Sequence, residues 1–476
     1  MKIDGIEILG ITCNSKKVRE GYVFVAIEGE NKDGNDYIDE AIDRGAVLIY
    51  TEKDVKNKKV PVKKVEHARK KLSELLNEFY DFPSEKMRLI GVTGTNGKTT
   101  TTHLIYKIFK KAGYKTGLIG TIGTKIDEEY IPPTLTTPEP EVLFDILNNM
   151  LEQGIEVVVM EVSSHGLKFC RTSGLKFDIA VHTNIEKDHM NLHHTFDDYI
   201  KTKKKLFDNL ENNKIAVLNV DDEYAVKLVQ DNTRPLILTY GLNNKATVTA
   251  SSLEIGNTIS FTVCLQRGLT TIRSNTVEPL EFKAILHLLG KHNIYNALAA
   301  ISVALIFEID IDVIIQALKE FKGVHRRLEK IYEGKYLVID DFCHNPSSYE
   351  AVFESIQGME YNKLILVNAI RGNRGTEINK DNAKVLSTWF SILGVNKLIL
   401  TLSNDVVKDK DEVKEDEFLA YRDELKNNNI EFQVYNTLKE AIKAALNIVR
   451  ENDIIMLLGA QGMDQGREIL YNEIVQ

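Results

Sequence analysis

The chain has 476 residues, is 43% hydrophobic and 27% charged, and carries a net charge of -9, which allows two to four domains with real cores and argues against a general nucleic-acid binder. Its four scattered cysteines (Cys13, Cys170, Cys264 and Cys343) form no C-x-x-C pair, giving no support to a disulfide framework or a zinc site and fitting a reducing compartment. No apolar run reaches a membrane span and the first residues lack a signal-peptide core, so the cytoplasm is the expected location, with no membrane partner.

Residues 1–82 read as a small α/β unit: "GYVFVAI" and "GAVLIYT" are short β-rich runs, and "YIDEAIDRGA" between them has helical spacing. "DFPSEK" (81–86) is expected to be a linker. A second unit, 83–322, opens with the strand "MRLIGVTG", a glycine loop, and the helix "TTTTHLIYKIFKKAG". "GIEVVVMEVS", "FDIAVHTNI" and "KIAVLNVDD" follow as buried strands alternating with helices, which predicts a mostly parallel sheet. Residues 246–286 alternate apolar and polar positions, predicting an antiparallel flank, and 291–321 are helix-rich. From about residue 323 the pattern restarts: "YLVIDDF", "KLILVNA", "KLILTLS" and "DIIMLLGA" are four apolar strands of a Rossmann-like unit, 323–476, without a G-x-G-x-x-G fingerprint.

The glycine loop "GVTGTNGKTT" departs from G-x-x-x-x-G-K-[ST], because Val92 stands where the first glycine belongs. It still has the required strand–loop–helix setting, in which backbone N–H groups at a helix N-terminus cradle phosphate oxygens. Lys98 would neutralise outer phosphates and Thr99 would offer a hydroxyl to Mg2+. A tight turn with an incidental lysine is the plainer alternative. Glu161 in "MEVSSHGL" and His189 in "NIEKDHMNLHH" each follow a strand, where open α/β sheets place their sites. Taken singly they are a solvent-facing acid and a surface histidine; beside a phosphate loop they become candidate metal ligands.

"GTNGKTTT", "TTP", "MEVSSHGL", "TNIEKDH" and "DDYIKTKKKLF" occur in the order and approximate spacing of the Mur ligases, and the chain resembles their MurE type over nearly its whole length. These enzymes form amide bonds with ATP and Mg2+ during peptidoglycan precursor synthesis, and the MurE type adds an amino acid to UDP-N-acetylmuramoyl-L-Ala-D-Glu. The resemblance implies an α/β protein of three domains: a UDP-binding N-terminal domain, a central phosphate-loop ATPase domain and a Rossmann-like C-terminal domain. It implies ATP contacts at Gly94, Thr95, Asn96, Gly97, Lys98, Thr99, Thr100, Asn293, Asn296, Arg327 and Asp341. Metal ligands would be Thr99, Glu161, His189 and a CO2-carbamylated Lys203, the lysine selected by the Y-x-x-x-K-x-x-L-F spacing. Catalytic roles fall on Lys98, Glu161, His189, Lys203, Arg327, Asp341 and His344. Substrate contacts, including those to the UDP-linked muramoyl dipeptide, would fall on Ser15, Thr136, Thr137, Ser163, Arg171 and Asn404. Lys201, Lys204 and Lys205 read as a solvated helix face. A monomer is expected.

The sequence leaves the family pattern at its acceptor end. Asn14 replaces a usual aspartate, and Arg326 a usual glycine in "GVHRRLEKI"; Phe342 and Cys343 vary the D-Y-A-H-x-P pattern. Ser403, Asn404, Asp405 and Val406 stand where diaminopimelate-adding members carry D-N-P-R, leaving only Asn404 of that motif, and "GAQGMDQGRE" replaces G-K-G-H-E. "NAIRGNRGTEINKD" replaces G-G-D-R-D, with Arg371 and Arg374 as sources of positive charge. Valine makes no bidentate carboxylate contact, so diaminopimelate is not the expected acceptor; another amino acid or amine is. A related ligase of the cyanophycin or folylpolyglutamate branch, and a non-catalytic ATP-binding pseudo-ligase, stay open as alternatives.

Overall fold

The computed structural model describes the chain except for residues 30, 31, 57, 189–191, 194, 257 and 476. Among the described residues three large sheets carry the architecture. The first is a four-stranded parallel sheet of Gly10–Thr12, Tyr22–Val25, Ala46–Thr51 and Val62–Lys64, with the expected helix at Ile38–Asp43.

The second sheet has eleven strands, and its parallel centre runs in the spatial order Thr116–Gly120, Val157–Glu161, Arg88–Thr93, Ile179–His182, Ile215–Asn219 and Leu236–Tyr240. Runs such as Val157-Val-Val-Met are apolar at every position because both faces of the sheet are covered by helices. The expected antiparallel flank is Val248–Ile255, Ile259–Leu265 and Leu280–Leu286, which extends this same sheet. One face is covered by Lys98–Lys111 together with His292–Ile306, a helix buried nearly all round.

The register decides where the site lies. The phosphate-loop strand Arg88–Thr93 sits between Val157–Glu161 and Ile179–His182, with Val92 opposite Glu161 and Thr93 opposite His182. Three strand ends therefore open side by side at one edge, as the rule for open α/β sheets requires.

The third sheet has six strands, two more than expected. The four apolar runs are Leu337–Asp341, Leu364–Ala369, Val395–Thr401 and Ile454–Leu458; Glu329–Glu333 adds an antiparallel edge and Gln433–Tyr435 a short parallel one. Ile454–Leu458 inserts between Leu337–Asp341 and Leu364–Ala369, bringing Leu458 beside both Asp341 and Asn368.

The 81–86 stretch is not a free linker. Pro83 and Ser84 are buried in a 3-10 turn, and Ser84 Oγ accepts a hydrogen bond from Lys176 N at 3.1 Å. One apolar cluster joins the elements on either side of it, from Ile8, Val23 and Leu72 to Leu89, Phe144 and Val158. The polar composition of the segment concealed this, because its buried apolar partners come from elsewhere in the chain. No described helix is long and apolar enough to cross a membrane.

Candidate active site

A cleft of about 630 Å3 opens between the central and C-terminal sheets, lined by the glycine loop, the ends of neighbouring strands and residues of the third sheet. Gly94 has φ 154, and a Cβ there would overlap Thr183 Oγ1. Only glycine lets the loop approach the next strand end so closely. Asn184 clamps the same loop: its carbonyl accepts from Thr95 N at 2.7 Å and its Oδ1 from Asn96 N at 2.9 Å.

Lys98 lies at the helix start, with Nζ donating to Gly94 O at 2.9 Å and Thr95 O at 2.8 Å. Burial pushes its ammonium below the ordinary lysine range, against the attraction of Glu161 and Asp188. The cation is thus desolvated and short of negative charge, a state that an incoming polyphosphate would relieve.

Glu161 is fully buried, so the solvent-facing alternative falls. Its carboxylate accepts Thr99 Oγ1 at 3.0 Å, Thr121 N at 2.9 Å and Thr121 Oγ1 at 3.1 Å. Among the described residues no group of three or more His, Cys, Asp and Glu could hold a metal by itself. The adjoining oxygens of Thr99 and Glu161 suit a hard ion that takes its remaining ligands from phosphates and water. His189, the other expected ligand, lies outside the described residues.

Lys203 is separated cleanly from its basic neighbours. Its Nζ is buried, donates to Gly94 O at 2.8 Å and lies 4.6 Å from the Tyr199 ring centroid. Burial, then the nearby Lys98 charge, hold it well below the usual lysine range. By contrast Lys201 pairs with Asp197 at 2.7 Å and Lys204 with Asp208 and Asp231 outside the cleft.

Asn296 and Asn293 sit beside the loop, joined Nδ2 to Oδ1 at 2.9 Å, while Thr101 donates to Asn296 Oδ1 at 3.2 Å. Thr100 is buried in the same helix turn and lines the cleft. Across from them stand Arg327, Asp341 and His344. Asp341 accepts Leu328 N at 2.8 Å; burial raises its carboxyl to about 6, with Arg327 opposing. His344 is pushed down to about 3 by burial and Arg371, so it is a neutral imidazole, and Nδ1 lies 3.0 Å from Phe342 O. That assigns the proton to Nδ1 and leaves Nε2 as an acceptor, 3.8 Å from Asp188. Two further bonds tie the walls together, Asn96 Nδ2 to Ser347 Oγ at 2.9 Å and Asn345 Nδ2 to Asp188 at 3.3 Å.

Thr136, Ser163 and Arg171 also line the cleft. Thr137 stands behind the wall, fully buried, with its hydroxyl donating to Glu161 O at 2.9 Å and accepting Ser163 N at 3.0 Å. Arg171 donates to Thr137 O at 3.0 Å and pairs with Glu139 at 2.6 Å. Ser15 lies away from the cleft in the 3-10 turn Ser15–Lys17 that follows the strand Gly10–Thr12, its hydroxyl donating to Glu40 at 2.9 Å. Asn14 keeps the capping role of an aspartate by accepting Lys16 N at 3.0 Å.

The acceptor segment is scaffold. Asn404 N donates to Asn436 O, Asp405 caps the helix Leu438–Ile448 by accepting Leu438 N at 2.7 Å, and none of residues 403–406 lines the cleft. Arg371, Arg374 and Gln461 do. Arg374 is committed to Asp411 at 3.0 Å, whereas Arg371 donates to His344 O at 2.8 Å and leaves its buried Nε without a partner. Sequence reading missed Thr121, Asn184, Ser347 and Gln461, whose partners lie up to 251 positions away. Asn184 and Gln461 had a local signal, since they sit inside the "TNIEKDH" and "GAQGMDQGRE" stretches.

Three family profiles match in chain order: "Mur ligase family, catalytic domain" over residues 7–80, "Mur ligase middle domain" over 92–304 and "Mur ligase, glutamate ligase domain" over 326–461. The UDP-N-acetylmuramoyl-L-alanyl-D-glutamate--2,6-diaminopimelate ligase of Oceanobacillus iheyensis is 34% identical over 467 residues, covering 96% of this chain and 90% of its own. The protein of the same name from Aquifex aeolicus is 35% identical over 471 residues, covering 97% and 90%. A solved structure of a ligase of that name has a TM-score of 0.68 at 24% identity over 100% of this chain and 98% of that one. The MurF ligase of Thermotoga maritima in complex with ADP has a TM-score of 0.65 at 20% identity, covering 100% and 99%. These two likenesses bear on the fold.

Proposed function

Because the chain belongs to the Mur ligase family, whose members are ATP-dependent ligases, we propose that it joins an amino acid other than diaminopimelate to the free D-glutamyl carboxylate of UDP-N-acetylmuramoyl-L-Ala-D-Glu. The observation that carries the ligase reading is the half-buried Lys98 with the buried Thr99, Glu161 and Lys203 beside the glycine loop, faced across one cleft by Arg327, Asp341 and His344.

The chemistry follows from the uphill character of amide formation in water. A substrate carboxylate oxygen attacks the terminal phosphorus of ATP, and the departing ADP takes the electron pair of the broken P–O bond. The amine then attacks the acyl phosphate, an amide bond forms, and phosphate leaves. Lys98 and Arg327 stand where charge builds on the transferred group. Mg2+, when bound, spreads that charge, and Thr99 and Glu161 offer oxygens to hold it. The bonds from Asn96 to Ser347 and from Asn345 to Asp188 tie the two walls of the cleft together where the acyl phosphate would form. Burial and the Lys98 charge shift Lys203 toward the amine form, the form that adds CO2.

The whole-length similarity to muramoyl-dipeptide ligases supports the UDP-linked substrate over a folate or cyanophycin one. Those relatives are named for diaminopimelate. The choice of another acceptor here rests on the segment Ser403–Val406, which presents no guanidinium and is spent on capping a helix. The test is phosphate release from ATP and Mg2+ with the muramoyl dipeptide, across a panel of amino acids that includes diaminopimelate and L-lysine. Turnover with an acceptor other than diaminopimelate is expected. Preference for diaminopimelate would overturn the acceptor assignment alone, and silence across the panel with ATP still bound would favour the pseudo-ligase.

A further inference from the structure

Arg326 adopts φ 57, in the left-handed region that long side chains seldom occupy. A backbone outlier of this kind persists only when its surroundings over-determine it. Here they do. The guanidinium is buried, with Nε 3.3 Å from both carboxylate oxygens of Asp340. Nη1 donates to Ala460 O at 3.0 Å and to Asp464, and Nη2 donates to Gly459 O. Its flat face lies 5.0 Å from the Phe342 ring centroid, and Arg327 lies 5.2 Å from the same ring.

Three of these acceptors belong to one loop, residues 459–464. The loop leaves the C-terminal end of Ile454–Leu458 and carries Gln461 into the cleft. At its start Gly459 is wedged so close to Ala369 that a Cβ would stand 2.9 Å from Ala369 O. The loop therefore lies against the strand end that leads into Arg371, the cleft arginine with an unpartnered Nε.

We infer that Arg326 is a positioning residue for the incoming amino acid: its guanidinium clamps the 459–464 loop so that Gln461 faces the acceptor end of the cleft, while its neighbour Arg327 faces the phosphates. The inference rests on the ligase reading above for the identity of the acceptor. It goes beyond that reading in naming how this chain shapes its acceptor subsite without the arginine that its acceptor segment lacks. Two successive residues thus serve two ends of the reaction, and the planar fork of Arg326 satisfies three loop acceptors that an ammonium would not span.

The test uses the full chain with Arg326→Gly, which relieves the left-handed backbone, and Asp464→Asn, which removes one anchor on a half-exposed side chain and should fold. Amide hydrogen exchange of residues 459–464 and steady-state kinetics are measured on both. Arg326→Gly is expected to speed exchange in the loop and raise the acceptor KM at least tenfold. The KM for ATP and kcat at saturating acceptor should stay within twofold. Asp464→Asn is expected to move the same two readouts less. Unchanged exchange in both variants overturns the clamp, as does faster exchange with an unchanged acceptor KM, or an equal rise in the KM of ATP and acceptor. A wild-type chain that turns over no amine sinks the ligase reading instead, and loop exchange then decides the clamp by itself.

Discussion

On the nucleotide wall, side chains from distant parts of the sequence are bonded into one set: Thr99 to Glu161, Lys203 to Gly94, Asn96 to Ser347. On the acceptor side, Arg371 and Gln461 line the cleft, while residues 403–406 lie off it and spend their bonds on their own scaffold, with Asp405 capping a helix and Asn404 paired to Asn436. On the function proposed above, the first wall would meet a triphosphate, a ligand that needs many fixed donors and a desolvated cation, so its residues constrain one another. The second would meet the incoming amino acid, and a few replaceable contacts would decide which. A change on the first wall should remove chemistry; a change on the second should redirect it.

The sharpest way to break this contrast is at Lys203. Lys203→Ala should lower kcat by roughly 10²–10³-fold, the usual cost of losing a charge-stabilising group, while Lys204→Ala, whose partners lie outside the cleft, should leave it unchanged. Equal activity of the two variants in the phosphate-release assay would remove Lys203 from the site. Gly94→Ala comes next. The added Cβ would overlap Thr183 and the backbone has φ 154, so nucleotide affinity should fall and stability should drop by about 2–3 kcal/mol, in the range of strained-backbone substitutions. Calorimetric ATP titration and urea unfolding check both.

The seam between the walls can be probed through pH. Burial raises the Asp341 carboxyl from 3.8 to about 6. The folded state therefore holds this proton more tightly than the unfolded state, and stability from this group is lost as pH rises from about 4 to about 6. The stability of Asp341→Asn minus that of the wild type should rise over that window, by up to about 3 kcal/mol. A flat difference between urea unfolding at pH 4 and pH 6.5 would place the carboxyl near its ordinary range. On the acceptor wall, Arg371→Ala should raise the acceptor KM about tenfold, the size of one charge-assisted hydrogen bond, with less effect from Arg374→Ala, which is already neutralised by Asp411. The smallest effect belongs to Val406→Ala. It should change acceptor kinetics by less than about 0.5 kcal/mol, since residue 406 does not line the cleft; a larger change would return the segment to the site.

Much of the fold was open to reading because its signals are local. Continuous apolar runs such as Val157–Met160 mark strands covered on both faces, and the loop between Thr93 and Lys98 carries its glycines and lysine together. Lys203 was separable from Lys201, Lys204 and Lys205 only through motif spacing, since four lysines within five positions look alike by composition. The two edge strands of the third sheet escaped because Glu329–Glu333 and Gln433–Tyr435 carry too few apolar residues to announce themselves. The 81–86 turn was misjudged for the opposite reason, its polar residues hiding a packed core beneath.

What the sequence by itself determined is the order of strands and helices, the phosphate loop and the inventory of reactive groups, since each depends on residues within a turn or two of one another. Strand order, and with it the neighbours of each reactive group, belonged to the tertiary structure. Insertion of Arg88–Thr93 between Val157–Glu161 and Ile179–His182 makes Glu161 a partner of Thr99, and insertion of Ile454–Leu458 beside Leu337–Asp341 brings the 459–464 loop to Arg326. Local propensity carries no record of which strands will pair. That choice is made by burying whole apolar faces at once, and only then does a carboxylate at position 161 meet a hydroxyl at position 99.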